Sequence, residues 1–369
     1  MAREFIDGST AIVRGALDAG CDFFAGYPIT PASSILQMMM AELPARGGIA
    51  IQGEDEISSI GMCIGATLGG ARAMTATSGP GISLYSENIG LAIIGEVPLV
   101  IVDVQRLGPA TGGATTVGQG DVQFVRWGTA GGYPIIALAP SSVGECYTLT
   151  MRAFDLTERF RCPVFLLTDK DLNLTMRTVN PAELTRVTVR PRTFRTGDEG
   201  SQYRYQPPDV VPPIGRYGDE VVRFTGSSHN EDAFITKQAA TVGALNEHLA
   251  AKIDDHLEEI ESVDLDAQDG AATLILAYGV TAGAARHAVR HARQDGRKVS
   301  LLVVHSLWPV PERAITAALD GISRVVVPEL NLGQYRREIE RLAQGRQVVG
   351  INRVDGSLIA PDQIIGVIA

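Results

Sequence analysis

Between residues 11 and 175 the chain repeats one pattern: a short apolar run bounded by Gly, Pro or an acid, then ten or more residues of helical character. The runs are Phe23 to Gly26, Ile49 to Gln52, Ala73 to Thr77, Pro98 to Val104, Pro134 to Leu138 and Pro163 to Thr168. Helical segments lie between or beside them at Thr10 to Ala19, Ala32 to Leu43, Ile57 to Gly70, Ser83 to Gly95 and Val143 to Phe160. Apolar runs that do not alternate with polar residues predict parallel strands buried on both faces. Strand and helix in strict succession predict a doubly wound α/β sheet.

The pattern resumes at Thr273 to Gly279, with a helix at Ala282 to Gln294, strands at Val299 to Val304, Arg324 to Val327 and Val348 to Gly350, and helices at Pro311 to Leu319 and Gly333 to Ala343. A second, smaller α/β domain follows from it. Between the two, Arg190-Pro191-Arg192, Pro207, Pro208, Pro212 and Pro213 break regular structure, and a charged helical stretch is expected from Ala233 to Ile260. We therefore expect a first domain over 1–190, a linker or excursion over 191–270 and a second domain over 271–369.

Several function classes drop out. The formal net charge of -10 disfavours nucleic acid phosphates and anionic lipid as partners. No apolar stretch reaches the roughly 18 residues that a membrane span needs, and Asp7 falls where a signal peptide would begin its apolar core, so a cytoplasmic protein is expected. None of the four lysines follows a glycine, so no P-loop is present, and Gly79-Pro80-Gly81 lacks the third glycine of a dinucleotide fingerprint because Leu84 stands there. His287 and His291 share a helix face but sit among Arg286 and Arg290, which favours a solvated basic face over a zinc site, and His305 reads as structural; no metal ligands are assigned to this chain. Cys21, Cys63, Cys146 and Cys162 show no C-x-x-C spacing and read as buried thiols, leaving no recognisable iron–sulfur motif.

Three segments carry chemistry. Gly26-Tyr27-Pro28-Ile29-Thr30-Pro31 joins a buried strand to a helix, where Pro31 suits the first turn and Thr30 is placed to cap it. Gln52-Gly53-Glu54-Asp55-Glu56 opens a helix bearing Gly61, Gly65 and Gly69 at spacing i, i+4, i+8; the bare face suits a tight helix contact within the subunit or across an interface. Asp103 to Thr116 leaves another buried strand with Arg106, a bidentate carboxylate binder, at the edge where ligands of open α/β sheets bind; a structural salt bridge is the alternative.

These segments, with Thr75 to Gly81 and Gln105 to Gly112, resemble the α subunit of 2-oxoacid:ferredoxin oxidoreductases. Val327-Pro328-Glu329-Leu330-Asn331-Leu332-Gly333-Gln334 and Arg337-Glu338-Ile339 resemble the 2-oxoglutarate branch. The resemblance implies a thiamine diphosphate-binding pyrimidine domain over 1–190 and a transketolase C-terminal-like domain over 271–369. It also implies oxidative decarboxylation of a 2-oxoacid, 2-oxoglutarate foremost, with CoA to acyl-CoA, CO2 and reduced ferredoxin, in either direction. On the matching positions Glu56 takes the role of the glutamate that activates the cofactor, Tyr27, Pro28 and Ile29 join it in binding the cofactor, and Thr30 and Arg106 bind the substrate's carboxylate end. Diphosphate and Mg2+ need a Gly-Asp-Gly motif that this chain lacks. The resemblance therefore implies a β subunit holding diphosphate, Mg2+ and a [4Fe-4S] cluster in an (αβ)2 or larger heteromer, and a chain inactive alone.

The chain departs from 2-oxoglutarate relatives at Ala110 to Thr115 and at Ala130 to Pro134, where fewer polar groups stand. An aryl or branched 2-oxoacid is thus an alternative substrate. A non-oxidative thiamine decarboxylase or transketolase-like subunit and a non-catalytic scaffold are alternative functions.

Overall fold

The computed structural model describes residues 3–196, 201–205, 211–219 and 221–368; Pro207 and Pro208 lie outside the described residues. The strands are β1 (Glu4–Ile6), β2 (Phe23–Gly26), β3 (Ile49–Gln52), β4 (Ala73–Thr77), β5 (Leu99–Gln105), β6 (Ile136–Leu138), β7 (Pro163–Asp169), β8 (Arg177–Val179), β9 (Val263–Asp266), β10 (Thr273–Ala277), β11 (Val299–Val304), β12 (Ser306–Trp308), β13 (Arg324–Glu329) and β14 (Gln347–Asn352). The helices are α1 (Gly8–Asp18), α2 (Ser33–Glu42), α3 (Glu56–Leu68), α4 (Pro80–Leu84), α5 (Ser86–Ile94), α6 (Val122–Trp127), α7 (Val143–Phe160), α8 (Lys170–Leu174), α9 (Ala239–Asp254), α10 (Leu257–Ile260), α11 (Thr281–Gln294), α12 (Glu312–Ala318), α13 (Arg336–Leu342) and α14 (Pro361–Ile365).

The first sheet runs β12-β6-β7-β5-β4-β2-β3 and the second β14-β13-β10-β11-β9. In the first sheet, β6, β7, β5, β4, β2 and β3 are parallel, as their apolar runs require. β4, β5 and β7 are buried along their whole length. Only β3 departs from the expectation of two buried faces: it ends the sheet, so Ile49 is 56% exposed.

The chain lays β3 outside β2, then crosses to place β4 on β2's other side, which puts the reversal of strand order between β2 and β4. Their ladder covers only Phe23↔Ala73 and Phe24↔Met74, whereas β4 and β5 pair from Ala73↔Leu99 to Thr77↔Asp103. The carboxyl ends of β2 and β4 therefore splay apart, and the Thr75 hydroxyl donates to Ala25 O at 2.7 Å where ladder bonds stop. Ligands of open α/β sheets bind in such a crevice.

Four short antiparallel strands were not apparent in the sequence: β1 and β8, which pair with each other in a two-stranded sheet, and β12 and β9. β12 follows β11 after one residue but pairs with β6, so the second domain's chain edges the first sheet. β9, inside the stretch expected as linker, pairs with β11 in the second sheet. The expected helix from Ala233 starts only at Ala239, since Asn230 closes a turn onto Asp232 and Phe234, and it breaks at Asp255. One apolar cluster runs across both sheets, from Ile60, Ile82 and Ile101 to Leu276, Trp308 and Tyr335, so the domains share a core. Among the described residues, no helix is long and apolar enough to cross a membrane.

Candidate active site

The three acids after β3 take three different places. Asp55 is the N-cap of α3: its carboxylate accepts from Ser58 N at 2.7 Å, and Ser58 Oγ accepts from Asp55 N at 3.2 Å, a reciprocal capping box. That hydrogen bonding holds its carboxyl below the usual range. Glu54 is exposed. Glu56, one residue into the helix, is rotated inward and only 7% exposed.

What Glu56 meets is the turn after β4. Gly79 adopts φ +47°, a conformation L side chains rarely take, and this turns the chain sharply into Pro80 and α4. Gly81 then passes so close that a Cβ there would collide with Thr77 Oγ1 and lie 2.9 Å from Glu56 Cγ and Oε1. No described group donates a hydrogen bond to the Glu56 carboxylate, and the Ser78 hydroxyl is buried without a partner.

Arg106 leaves β5, the strand beside β4, and folds over the same turn; it is 5% exposed, and a Cβ on Gly79 would lie 3.1 Å from its Nε. Its Nη1 donates to the carbonyl oxygen of Thr30 at 2.6 Å, while Nε has no partner. Among the described residues it does not pair in a salt bridge, as the structural alternative required. Beneath it, Asp103 and Asp121 face each other, both with buried unpartnered oxygens. Burial raises both carboxyls; the charge of Asp121 raises Asp103 further, while Asp103 and Arg106 pull Asp121 back in part.

Thr30 differs from expectation. Helix α2 begins at Ser33 with Ala32 as N-cap and no side-chain cap, because the backbone closes the turn itself through Ser33 N to Ile29 O at 3.0 Å. Pro31 precedes the helix after a cis Thr30–Pro31 bond, and Thr30 is exposed, contributing its carbonyl to Arg106 rather than capping. Tyr27 and Ile29 are half-buried and Pro28 exposed in the same loop; Ile29 packs on the core under α2, and no hydrogen bond ties Tyr27 to Glu56 or Arg106.

Glu56, Gly79, Gly81, Arg106 and Thr30 thus gather at the β2–β4 crevice, although their strands are far apart in sequence. The Asp103–Asp121 pair escaped the sequence reading, since Asp121 looks like an ordinary helix cap; an acid inside an apolar strand at Asp103 was the available signal. On α3, Gly61 and Gly65 face open space, with nothing within 4 Å of a Cβ at either position, so the bare face is not filled within the described chain. All four cysteines are buried free thiols, and burial raises Cys63 and Cys162 to about 12. His287 and His291 are exposed, and His305 is buried between Glu145 and Asp264.

Residues 14–247 match the family described as pyruvate flavodoxin/ferredoxin oxidoreductase, thiamine diP-bdg, and residues 271–364 match pyruvate:ferredoxin oxidoreductase core domain II. The chain is 38% identical to 2-oxoglutarate synthase subunit KorA of Methanothermobacter thermautotrophicus over 99% of this chain and 97% of that protein. It is 36% identical to ketoisovalerate oxidoreductase subunit VorB of the same organism over 97% and 95%. A solved 2-oxoglutarate:ferredoxin oxidoreductase from Magnetococcus marinus, with 2-oxoglutarate, coenzyme A and succinyl-CoA bound, superposes with a TM-score of 0.91 at 30% identity. That match covers 99% of this chain and 64% of the longer one.

Proposed function

The chain belongs to the pyruvate flavodoxin/ferredoxin oxidoreductase family, and on that premise we propose that it is the α subunit of a thiamine diphosphate-dependent 2-oxoglutarate:ferredoxin oxidoreductase. The reaction is oxidative decarboxylation of 2-oxoglutarate with CoA to succinyl-CoA and CO2, with electrons leaving to ferredoxin. One observation carries this reading: a buried carboxylate without a donor, Glu56, stands beside a glycine cradle and a buried guanidinium at the strand-reversal crevice.

The cradle suits the cofactor's aminopyrimidine. Gly81 leaves no side chain between Glu56 and the crevice, and Ser78 Oγ and Arg106 Nε are polar atoms awaiting partners. When bound, thiamine diphosphate supplies a nucleophilic carbon and an electron sink for decarboxylation. Glu56 would hold and return a proton at a pyrimidine nitrogen. Arg106 would donate to the substrate carboxylate, its Nη1 braced by Thr30 O and its Nε, without a partner among the described residues, turned to the carboxylate. Tyr27, Pro28 and Ile29 would flank the cofactor from the β2 loop.

Diphosphate, Mg2+ and the [4Fe-4S] cluster belong, in this reading, to a β subunit in an (αβ)2 or larger cytoplasmic complex. Support comes from the missing Gly-Asp-Gly motif, from four cysteines buried at scattered positions, and from the uncovered Gly61–Gly65 face beside Glu56. The test is Glu56→Gln in the complex reconstituted with the neighbouring gene product: turnover with saturating cofactor is expected to fall about a hundredfold or more. Turnover near wild type removes Glu56 from catalysis. A parallel screen of 2-oxoacids with CoA and a viologen acceptor decides the substrate; preference for a branched acid would follow the likeness to the ketoisovalerate enzyme.

A further inference from the structure

The Val327–Gln334 motif, which carries part of the family resemblance, lies on the second domain and takes no part in the chemistry above. Its structural role is specific. The buried Glu329 carboxylate accepts from Tyr278 Oη at 2.8 Å, Tyr335 N at 2.8 Å and Arg336 N at 3.1 Å, bending the chain after β13 toward the first domain. There Leu330 O accepts from Gln119 N at 2.9 Å, and Leu330 N donates to Gln119 Oε1 at 3.2 Å. Asn331 Nδ2 donates to Gln119 O at 2.8 Å, and its Oδ1 accepts from Gly333 N and Gln334 N. Gln334 Nε2 donates to Gly120 O at 2.6 Å, while its Oε1 and main-chain O accept from Gln123 N and Nε2. Gln119 and Asn331 are buried, so the bonds between Gln119, Leu330 and Asn331 are made away from water, where an unmade one is costly, while those of Gln334 are part-buried.

The grasped segment, 119–123, is the far end of the loop that begins at Arg106. Immediately before it, a Cβ on Gly118 would lie 2.9 Å from Arg106 O, and Leu107 N donates to Thr116 O at 3.0 Å, so the loop's two ends run together. Within it, Asp121 N donates to Gln105 Oε1 at 3.1 Å and the Asp121 carboxyl faces Asp103 under the Arg106 side chain. The loop between carries glycines 108, 112, 113 and 118 and no helix, so its own conformational preference is weak. Beside the β5–β7 ladder that ends at Gln105 and the Thr30 carbonyl that braces Nη1, Arg106 is held by the segment on which the second domain closes.

We propose that the Leu330–Gln334 turn is a positioning device for Arg106, with Asn331, Gln334 and Gln119 acting on the substrate carboxylate only through the backbone they clamp. The inference rests on Arg106 being the carboxylate binder. In the reconstituted complex, Gln334→Ala is expected to raise KM for 2-oxoglutarate about threefold to tenfold, the range for one or two lost hydrogen bonds, with kcat and thiamine diphosphate half-saturation within about twofold. Arg106→Lys completes a double-mutant cycle: since both substitutions act on one cation, Gln334→Ala adds little to KM in the Arg106→Lys background. An unchanged KM, additive effects, or an equal loss of cofactor affinity overturns the proposal. An unchanged KM in Arg106→Lys alone overturns the role of Arg106 itself, a separate result. Should Gln334→Ala fail to assemble, Gln123→Ala, which removes the Nε2 bonds to Gln334 O and Glu338, loosens the same clamp from the first domain and takes its place in the cycle.

Discussion

A Cβ on Gly81 would lie 2.9 Å from both Cγ and Oε1 of Glu56. The cofactor-activating carboxylate proposed here is thus held in place by the lack of a side chain on another strand's turn. Gly81→Ala must push Thr77 or Glu56 aside, at a cost of about 1–3 kcal/mol in stability. A shift of Glu56 by a fraction of an ångström is expected to lower turnover about tenfold to a hundredfold. Initial rates and thermal melting of the same preparation separate the two effects, and a folded variant of wild-type rate counts against Glu56.

The open face of α3 gives a second expectation. A Cβ at Gly65 meets no atom within 4 Å among the described residues, and Gly65→Leu replaces a helix-interior glycine, so the isolated subunit should melt at the same temperature or higher. The β subunit, if it covers this face, is displaced. Co-purification of both chains checks this: a complex that assembles normally moves the interface elsewhere.

The Asp103–Asp121 pair predicts a pH-dependent stability. Their carboxyls are raised in the folded chain, so between about pH 4 and pH 7 the native state keeps a proton that the unfolded state has released. Stability therefore declines as pH rises through that window. Asp103→Asn should flatten the decline by about 1–3 kcal/mol, read from urea unfolding at pH 5 and pH 8. Equal slopes in both proteins would show that the pair carries no shared proton.

Glu96 behaves in the opposite sense. It is fully buried at φ +51°, where Lys252 Nζ lies 2.9 Å and His248 Nε2 3.1 Å from its carboxylate and the Tyr205 hydroxyl also donates to it. Burial pushes its carboxyl up, but Lys252, His248 and Arg161 outweigh this and hold it well below the usual range. Its contribution is present above the ordinary carboxylate value and fades as pH falls below it. Glu96→Gln strands Lys252 and is expected to cost about 3–5 kcal/mol. Because the cluster ties Tyr205 and α9 to the first domain away from the crevice, KM for the 2-oxoacid should not change.

The alternation that predicted the sheet was legible because a strand buried on both faces must be apolar throughout, whatever it packs on. Val143 to Phe160 matched α7 for a related reason: a long amphipathic pattern with Ser142 as a capping residue leaves little choice. β9 and β12 were not legible, since Val263–Asp266 and Ser306–Trp308 are too short to show a period and are strands only because β11 and β6 offer unpaired edges. Thr30 misled because Thr before Pro resembles a cap, while the backbone bond from Ser33 to Ile29 had already closed the turn.

By itself, the sequence determined where the apolar runs end: Gly26, Gln52 and Thr77 close β2, β3 and β4 as expected, and the run expected to end at Val104 runs one residue further, to Gln105, because local hydrophobicity decides most of this. Only the tertiary structure decided that β3, β2, β4 and β5 would stand side by side. That order depends on how each helix packs back across the sheet, a long-range property with no local signature. Only there could Glu56 reach Gly81, Arg106 reach Thr30, and a motif more than two hundred residues downstream of Arg106 come to grip the loop that Arg106 begins.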